Sequence, residues 1–94
     1  MPDAERLVEA GRVLEDAGDA AGAETKYREA MRLSPKWSVP HFNVGLMCKH
    51  QGRWRESFTH NDTATHLNPG DEGAWWNLGI AATALGDWTT ARRA

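Results

Sequence analysis

The stretch AWWNLGIAATALGDW, residues 74–88, decides the fold. Trp75 is followed three and four residues later by Leu78 and Gly79, so all three lie on one side of a predicted helix. Gly86 then ends this helix, and Asp87 is suited to cap the next one. Weaker versions of the same pattern occur twice more upstream, each 34 residues from the next. This recurrence predicts a helical repeat.

The composition of the 94 residues argues against several classes of protein. Alanine, leucine and glutamate are common and β-branched residues are sparse, which favours helix throughout. A formal net charge of −2 and a pI near 6.0 argue against a nucleic-acid-binding surface. No apolar run approaches the roughly 18 to 20 residues that span a bilayer, so no membrane partner is expected.

The N-terminus and the cysteine content indicate the compartment. The first residues, MPDAER, are polar and acidic, so no secretory signal is expected. The single Cys48 cannot form an internal disulfide, which agrees with a reducing environment. The sequence therefore predicts a cytoplasmic protein.

Helical periodicity and turn residues predict five full helices and a truncated sixth that begins near Trp88. Asp3, Asp19, Ser38 and Asp71 are candidate N-caps, because each precedes an apolar-periodic segment. The segment after Arg53 has no obvious cap. The five full helices are expected at residues 4–17, 20–33, 38–50, 54–67 and 72–85.

Several columns of residues align when the chain is shifted by 34 positions. A glycine within each first helix is expected to let two helices approach closely, opposite a small residue of the second helix. A second glycine permits the tight turn between the helices, and a proline stops the second helix before the next unit. The columns are Gly11, Gly45 and Gly79; Gly18, Gly52 and Gly86; Ala23, Ser57 and Ala91; and Pro35 and Pro69.

This pattern resembles the tetratricopeptide repeat, whose signature is Trp-x2-Leu-Gly-x2-Tyr, then Ala-x3-Phe, then Pro, with a period of about 34. The second unit is degenerate, because His41, Cys48 and Asn61 occupy slots where large apolar residues are usual. The third unit matches at full strength in its first helix and stops soon after Ala91. In the first unit the expected slots are filled by Leu7, Ala10, Gly11, Leu14, Ala23, Tyr27, Ala30 and Pro35.

The resemblance implies an all-α, right-handed superhelix of α-α hairpins, a solenoid in which stacked units share one core. It implies one domain, residues 1–94, with repeats at 4–37 and 38–71 and a partial repeat at 72–94. The first helices would line a concave groove that typically holds a peptide or a partner's surface. The expected role is a non-catalytic adaptor or scaffold for protein–protein interaction.

The same resemblance implies a set of partner-binding residues in the groove. Five of them form an apolar stripe that would grip an extended or helical segment, with two asparagines bonding its backbone. Alternatively, chain outside these residues covers part of the stripe. The set is Val8 and Arg12 from the first unit, Phe42, Asn43 and Leu46 from the second, and Trp76, Asn77 and Ile80 from the third.

One known chemistry of the family, the clamp that grips the C-terminal aspartate of heat-shock chaperones, is not expected here. The clamp needs lysines, asparagines and an arginine at defined slots to neutralise carboxylates. Only Asn43 matches its slot. The clamp slots of this chain hold Val8, Arg12, Asn43, Gly73 and Asn77.

Neither a metal, another cofactor nor catalysis is predicted. The four histidines and Cys48 lack metal-ligand spacing, with no histidine pair at i, i+4 and no Cys-x2-Cys. No nucleophile–base arrangement can be read from the sequence. His41 and Asn61 occupy core slots, so we expect them to hydrogen-bond to each other across the helix pair.

The truncated third unit leaves two other roles open. Trp75, Leu78 and Ala82 are expected to lack a partner face, because the second helix of their unit is nearly missing. Two chains could bury these faces as a homodimer, which would make the chain a self-association module. In a third reading, the chain is the regulatory or substrate-recruiting module of a larger enzyme.

Overall fold

Five helices follow one another as antiparallel hairpins. The computed structural model describes residues 2–87, 90 and 91, and these form helices and the turns between them, without a strand. Each helix packs against its neighbour in the chain, and α5 also contacts α3. The helices are α1 (Pro2–Asp16), α2 (Ala20–Leu33), α3 (Ser38–His50), α4 (Trp54–Leu67) and α5 (Glu72–Leu85).

The predicted caps of α2 and α5 are confirmed. The Asp19 carboxylate accepts a hydrogen bond of 2.9 Å from the Gly22 N–H, and Asp71 accepts one of 3.2 Å from the Ala74 N–H. Each bond satisfies an N–H group that has no partner within its helix. Also as predicted, α4 begins after Arg53, which makes no capping hydrogen bond through its side chain.

Two other predicted caps are wrong. Helix α1 begins at Pro2, so Asp3 lies inside the first turn rather than before it. Proline is well suited to the first helical position, because its fixed φ fits the helix and its missing N–H is not needed there. Ser38 is likewise the first residue of α3, and Trp37 occupies the cap position without a side-chain hydrogen bond.

The second glycine column sets the turn within each hairpin. Gly18, Gly52 and Gly86 have φ values of 86°, 73° and 79°. This left-handed conformation carries a steric cost for residues with a Cβ, and glycine adopts it freely. Because the three residues are 34 positions apart, the same turn recurs at the end of α1, α3 and α5.

The first glycine column makes room for a large side chain instead of facing a small one. A Cβ added to Gly11 would lie 2.5 Å from Tyr27 Cε1, and one added to Gly45 would lie 2.5 Å from Asn61 Nδ2. The small residue of the second unit is still in contact, because Ser57 Oγ donates to the Gly45 carbonyl over 2.9 Å. The expected close approach is therefore correct, and the residue expected opposite the glycine is one turn off.

The hydrophobic core runs through α1, α2 and α3 without a break. The sixth helix lies largely outside the described residues, as does the Trp88 side chain, although Thr90 and Ala91 are helical. The repeat bounds at residues 4–37, 38–71 and 72–94 stay a prediction. The buried cluster contains Ala4, Val8, Ala23, Tyr27, Ala30, Val44, Met47 and Cys48.

Candidate partner-binding site

Trp76 is the most exposed large apolar side chain among the residues described, with 69% of its surface open to solvent. Ile80 lies four residues later on the same side of α5. Together with the start of the next helix they border a cleft of about 350 Å³, called here the Trp76 cleft. Its lining residues are Trp76, Gly79, Ile80, Thr83 and Ala91.

Helix α3 contributes Phe42 and Leu46, which lie one turn apart and are both half-buried. The Phe42 ring lies over Gly73 of α5, where an added Cβ would be 3.1 Å from Phe42 Cε2. A residue without a side chain at position 73 thus lets α3 and α5 lie side by side. Two of the predicted groove helices are in contact through this pair.

The two predicted asparagines are not free to bond a partner in the way expected. Asn77 is only 3% exposed, and its Oδ1 accepts a hydrogen bond of 3.0 Å from Lys49 Nζ of α3. Asn43 Nδ2 is shielded from solvent and has no acceptor among the described residues. Lys49 therefore presents a positive charge beside α5, with a neutral amide as its hydrogen-bond partner.

The first unit contributes less than the sequence suggests. Val8 is 3% exposed and belongs to the core cluster with Val44 and Met47 of α3. The expectation that Val8 is part of an exposed stripe must be corrected, because the second unit packs over it. Arg12 is exposed, and its guanidinium pairs with Glu9 one turn earlier over 3.2 Å.

The third unit is better protected than its truncation suggests. Leu78 is 2% exposed and Ala82 is fully buried, so the expectation that both lack a partner face is wrong. Helix α5 packs against α4 and also contacts α3. Trp75 is half-buried, and its Nε1–H donates to the Pro69 carbonyl over 2.9 Å. The most exposed large apolar side chain described in this unit is Trp76.

A four-residue ion network joins the first unit to the second. Arg53 and Arg28 each bond both Glu24 of α2 and Glu56 of α4; Arg53 Nη1 lies 2.8 Å from Glu24 Oε1, and Arg28 Nε lies 2.9 Å from Glu24 Oε2. The hydrogen bonds from Arg53 hold the pKa of both carboxyl groups below their usual range. Sequence reasoning missed this network, although Arg53 standing in the aspartate column was a signal.

His41 and Asn61 are both buried, but they do not bond each other. The expected pairing is wrong: His41 Nε2 bonds the Pro35 carbonyl over 3.1 Å, and Asn61 Nδ2 donates to the Ser57 carbonyl over 2.9 Å. In each case a backbone carbonyl oxygen accepts the hydrogen bond that the side chain donates. This leaves His41 Nδ1 and Asn61 Oδ1 buried without partners among the residues that the structure covers.

The remaining polar groups offer no further site. Cys48 is a free, buried thiol, and burial raises its pKa. Within residues 2–87, 90 and 91, no three His, Cys, Asp or Glu side chains are arranged to hold a metal ion. In that same part of the chain, every helix is too short or too polar to cross a membrane.

Comparison of the sequence with known proteins finds one repeat protein and no family. No protein-family model matches the sequence. Tetratricopeptide repeat protein 6 of Homo sapiens is 29% identical over 82 residues, which are 87% of this chain. The chain spans only 16% of the length of that relative.

Solved structures share the fold closely at low sequence identity. The TPR domain of Sgt2 from Aspergillus fumigatus superimposes with a TM-score of 0.86 at 20% identity, covering 99% of this chain and 62% of that one. The N-terminal domain of stress-induced protein-1 (STI-1) from C. elegans gives 0.81 at 17% identity, covering 94% and 75%. Five helices in sequential hairpins are thus the arrangement that these domains share with this chain.

Proposed function

Since the chain is folded as a tetratricopeptide-repeat domain, a module that typically binds other proteins, we propose that it binds a peptide or partner surface along α3 and α5. The role is that of a non-catalytic adaptor or scaffold. The proposed contact residues are Phe42, Leu46, Trp76 and Ile80; the predicted Asn43 and Asn77 lie on the same two helices and are proposed to support the groove.

The exposed indole of Trp76 is the observation that carries this proposal. A tryptophan that is 69% exposed beside a cleft of about 350 Å³ offers both a large apolar face and room for a partner's side chain. Tryptophan is among the residues that most often dominate the energy of protein interfaces. Arg12 belongs to the rim in this proposal, and Val8 supports the groove from the core.

A charged side chain of α3 indicates the partner's chemistry. Lys49 brings a positive charge to the side of α5, where Asn77 is its uncharged partner. A suitable segment would carry a bulky apolar residue for the Trp76 cleft and an acidic residue for Lys49, because opposite charges favour encounter and register.

The experiment is a selection of random displayed peptides against the purified chain. We expect the selected peptides to combine a bulky apolar residue with an acidic one. Trp76→Ala should weaken their binding roughly tenfold or more, whereas Lys49→Gln should weaken it less and reduce its salt dependence. Because the clamp slots do not match, the peptides should bind equally well with amidated C-termini.

Leu33→Ala is the matched control, because Leu33 is an apolar side chain that is 55% exposed at the end of α2. It should leave peptide binding unchanged. Both variants are expected to fold, since truncating an exposed side chain has little effect on stability. Equal binding of the selected peptides to the Trp76→Ala variant and to the unaltered chain would contradict the proposal.

Exposure of Trp76 also favours a second candidate, self-association through α5 and the following residues. Sedimentation over a range of protein concentrations separates the two, since a homodimer would dissociate on dilution and be weakened by Trp76→Ala. The same groove could recruit a substrate if the chain is a module of a larger enzyme. A longer gene product with a catalytic motif would favour that role.

A further inference from the structure

One hydrogen bond recurs at both junctions between units. Trp75 Nε1–H donates to the Pro69 carbonyl over 2.9 Å, and His41 Nε2 lies 3.1 Å from the Pro35 carbonyl. The two bonds are 34 residues apart and connect the same slots. His41 therefore makes the hydrogen bond that Trp75 makes at the corresponding position of the third unit.

This bond fixes the proton on His41. A carbonyl oxygen only accepts, so Nε2 must carry the hydrogen, and in the neutral ring Nδ1 then carries a lone pair. His41 is 9% exposed, and Nδ1 is buried without a partner in the described chain. A tryptophan has no second ring nitrogen, so this buried nitrogen has no counterpart at the Trp75 junction.

The ring of His60, from α4, lies next to that of His41. Their centroids are 6.0 Å apart and the planes are tilted by 33°. His60 is half-buried, and burial, then the charges of Arg28 and His41, lower its pKa to about 4. The second unit thus places two imidazoles against each other between α3 and α4.

The surroundings oppose a positive charge on His60 more than they favour it. Arg28 reaches it from α2 and disfavours the charge, while Glu24 of α2 and Glu56 of α4 favour it. Both carboxylates are already bonded by Arg28 and by Arg53 of the α3–α4 turn. Helix α3 contributes the buried Cys48 thiol, which bonds Glu56, and α5 contains only the exposed Glu72 as a titratable residue.

We propose that the His41–His60 pair is an acid-sensitive joint, in which protonation of His60 weakens the packing of α4 on α3. The joint belongs to the second unit alone, because its neighbours carry Leu7 and Trp75 at the slot of His41. Loosening it would release α3, the helix that carries Phe42 and Leu46. The joint operates on the chain by itself and does not depend on a partner.

The sign of the effect follows from linkage. The pKa of His60 is lowered from 6.5 to about 4 in the folded chain, so the unfolded chain binds the proton first as the pH falls. Stability from the neutral ring is complete above the unfolded pKa and is lost between about pH 6.5 and about pH 4. The lowered pKa values of Glu24 and Glu56 act only at the acid end of this interval and below it, starting near their ordinary value of 4.5.

The test is guanidinium unfolding of the chain at about pH 7 and about pH 5, with His60→Gln and His66→Gln as a matched pair. His66 is exposed, and its Nδ1 lies 2.8 Å from the Asp62 carbonyl oxygen and 3.7 Å from Asp62 Oδ1. We expect the unfolding constant to rise roughly tenfold on acidification in the unaltered chain and in His66→Gln. In His60→Gln the rise should be largely absent. An equal rise in all three proteins would overturn the proposal.

A second measurement does not rely on a variant that folds. The imidazole resonances of the unaltered chain can be followed by NMR from about pH 7.5 downward. The His60 signals should titrate well below their ordinary midpoint of 6.5. The packing of α4 on α3 should be lost over the same pH range. A His60 midpoint near 6.5 in the folded chain would equally overturn the proposal.

Discussion

The first and second units have the same backbone arrangement, but the side chain packed against the helix glycine is an aromatic ring in one and an amide in the other. In the first, Gly11 faces the Tyr27 ring; in the second, Gly45 faces the Asn61 amide, and an added Cβ would lie 2.5 Å from either side chain. Tyr27 is 1% exposed, and its hydroxyl donates to Glu15 over 2.7 Å, so its polar atom is satisfied. Asn61 is fully buried and leaves Oδ1 without a partner within the described chain.

This difference indicates that shape and hydrogen bonding define the repeat more strictly than apolar side chains do. Both units keep the left-handed glycine turn and the close helix approach, and in both the carbonyl of the closing proline bonds a side chain of the next unit. What the second unit gives up is apolar burial, at Asn61 and His41. It is therefore expected to be the less stable hairpin, since a buried polar atom without a partner carries a desolvation cost.

The largest effect on stability is expected at Tyr27, where the difference between the two units can be tested directly. Tyr27→Asn gives the first unit the side chain of the second and leaves a cavity where the ring was. The expected loss is about 3 kcal/mol of unfolding free energy, as for other deletions of buried rings. Urea unfolding measures it.

Tyr27→Phe is the control for this substitution. It keeps the ring and removes only the hydroxyl that donates to Glu15, which should cost about 1 kcal/mol. Burial raises the pKa of Tyr27, so the hydroxyl stays protonated at neutral pH and remains a donor. If Tyr27→Asn is no more harmful than Tyr27→Phe, the ring is not what fills this slot.

The reverse change at Asn61 should have a smaller effect of opposite sign. Asn61→Leu replaces a buried amide with an apolar side chain of similar volume and removes the unpartnered Oδ1. Ser57 keeps its own bond to the Gly45 carbonyl. We expect a gain of about 1 kcal/mol, measured by urea unfolding beside the unaltered chain.

If Asn61→Leu instead lowered the free energy of unfolding, the Asn61 amide would be better satisfied than its hydrogen bonds indicate. Ser57→Ala separates the possibilities, because it removes a hydroxyl that both donates to Gly45 and accepts from Asn61 Nδ2. If the Asn61 amide is well satisfied, Ser57→Ala should be more destabilising in the unaltered chain than in Asn61→Leu; an equal cost in both would mean that only the bond to Gly45 contributes.

The smallest expected effect concerns the ion network that joins the two units. Arg53→Gln removes its bonds to Glu24 and Glu56, and we expect a loss of about 0.5 kcal/mol, because a third of the Arg53 side chain is exposed. The loss should shrink at high salt. It should also shrink below about pH 4.5, because the lowered pKa of Glu24 stabilises the fold only while its carboxylate is charged.

Thermal unfolding at low and high salt, compared with Arg55→Gln, measures this contribution. Arg55 is an exposed arginine of the same helix turn and forms none of the ion pairs found in the described chain. A salt-independent loss at Arg53 would show that its role there is packing rather than charge.

Features that depend on neighbouring residues could be predicted from the sequence. Helix α4 begins and ends at the predicted residues, and the Asp19 and Asp71 caps are correct, because cap, turn and period are local signals. Asp3 and Ser38, the predicted caps of α1 and α3, lie inside these helices instead of before them. At both places the helix simply begins earlier than the apolar period does.

Features that depend on distant residues could not. Val8 and Leu78 are buried because of helices that arrive from other units, and helical period alone does not say which side of a helix a later unit covers. The Arg53–Glu24 pair spans 29 residues. The bond from His41 to Pro35 could not be predicted either, because its acceptor is a backbone carbonyl, which every residue carries.

The exposure of Trp76 has an optical consequence. An indole that is 69% exposed emits as a water-facing fluorophore, while the other tryptophans with described side chains, Trp37, Trp54 and Trp75, are half-buried. Covering the Trp76 cleft would move its emission to shorter wavelength. The chain thus carries its own reporter at the proposed binding position, so occupancy can be read without a label on either molecule.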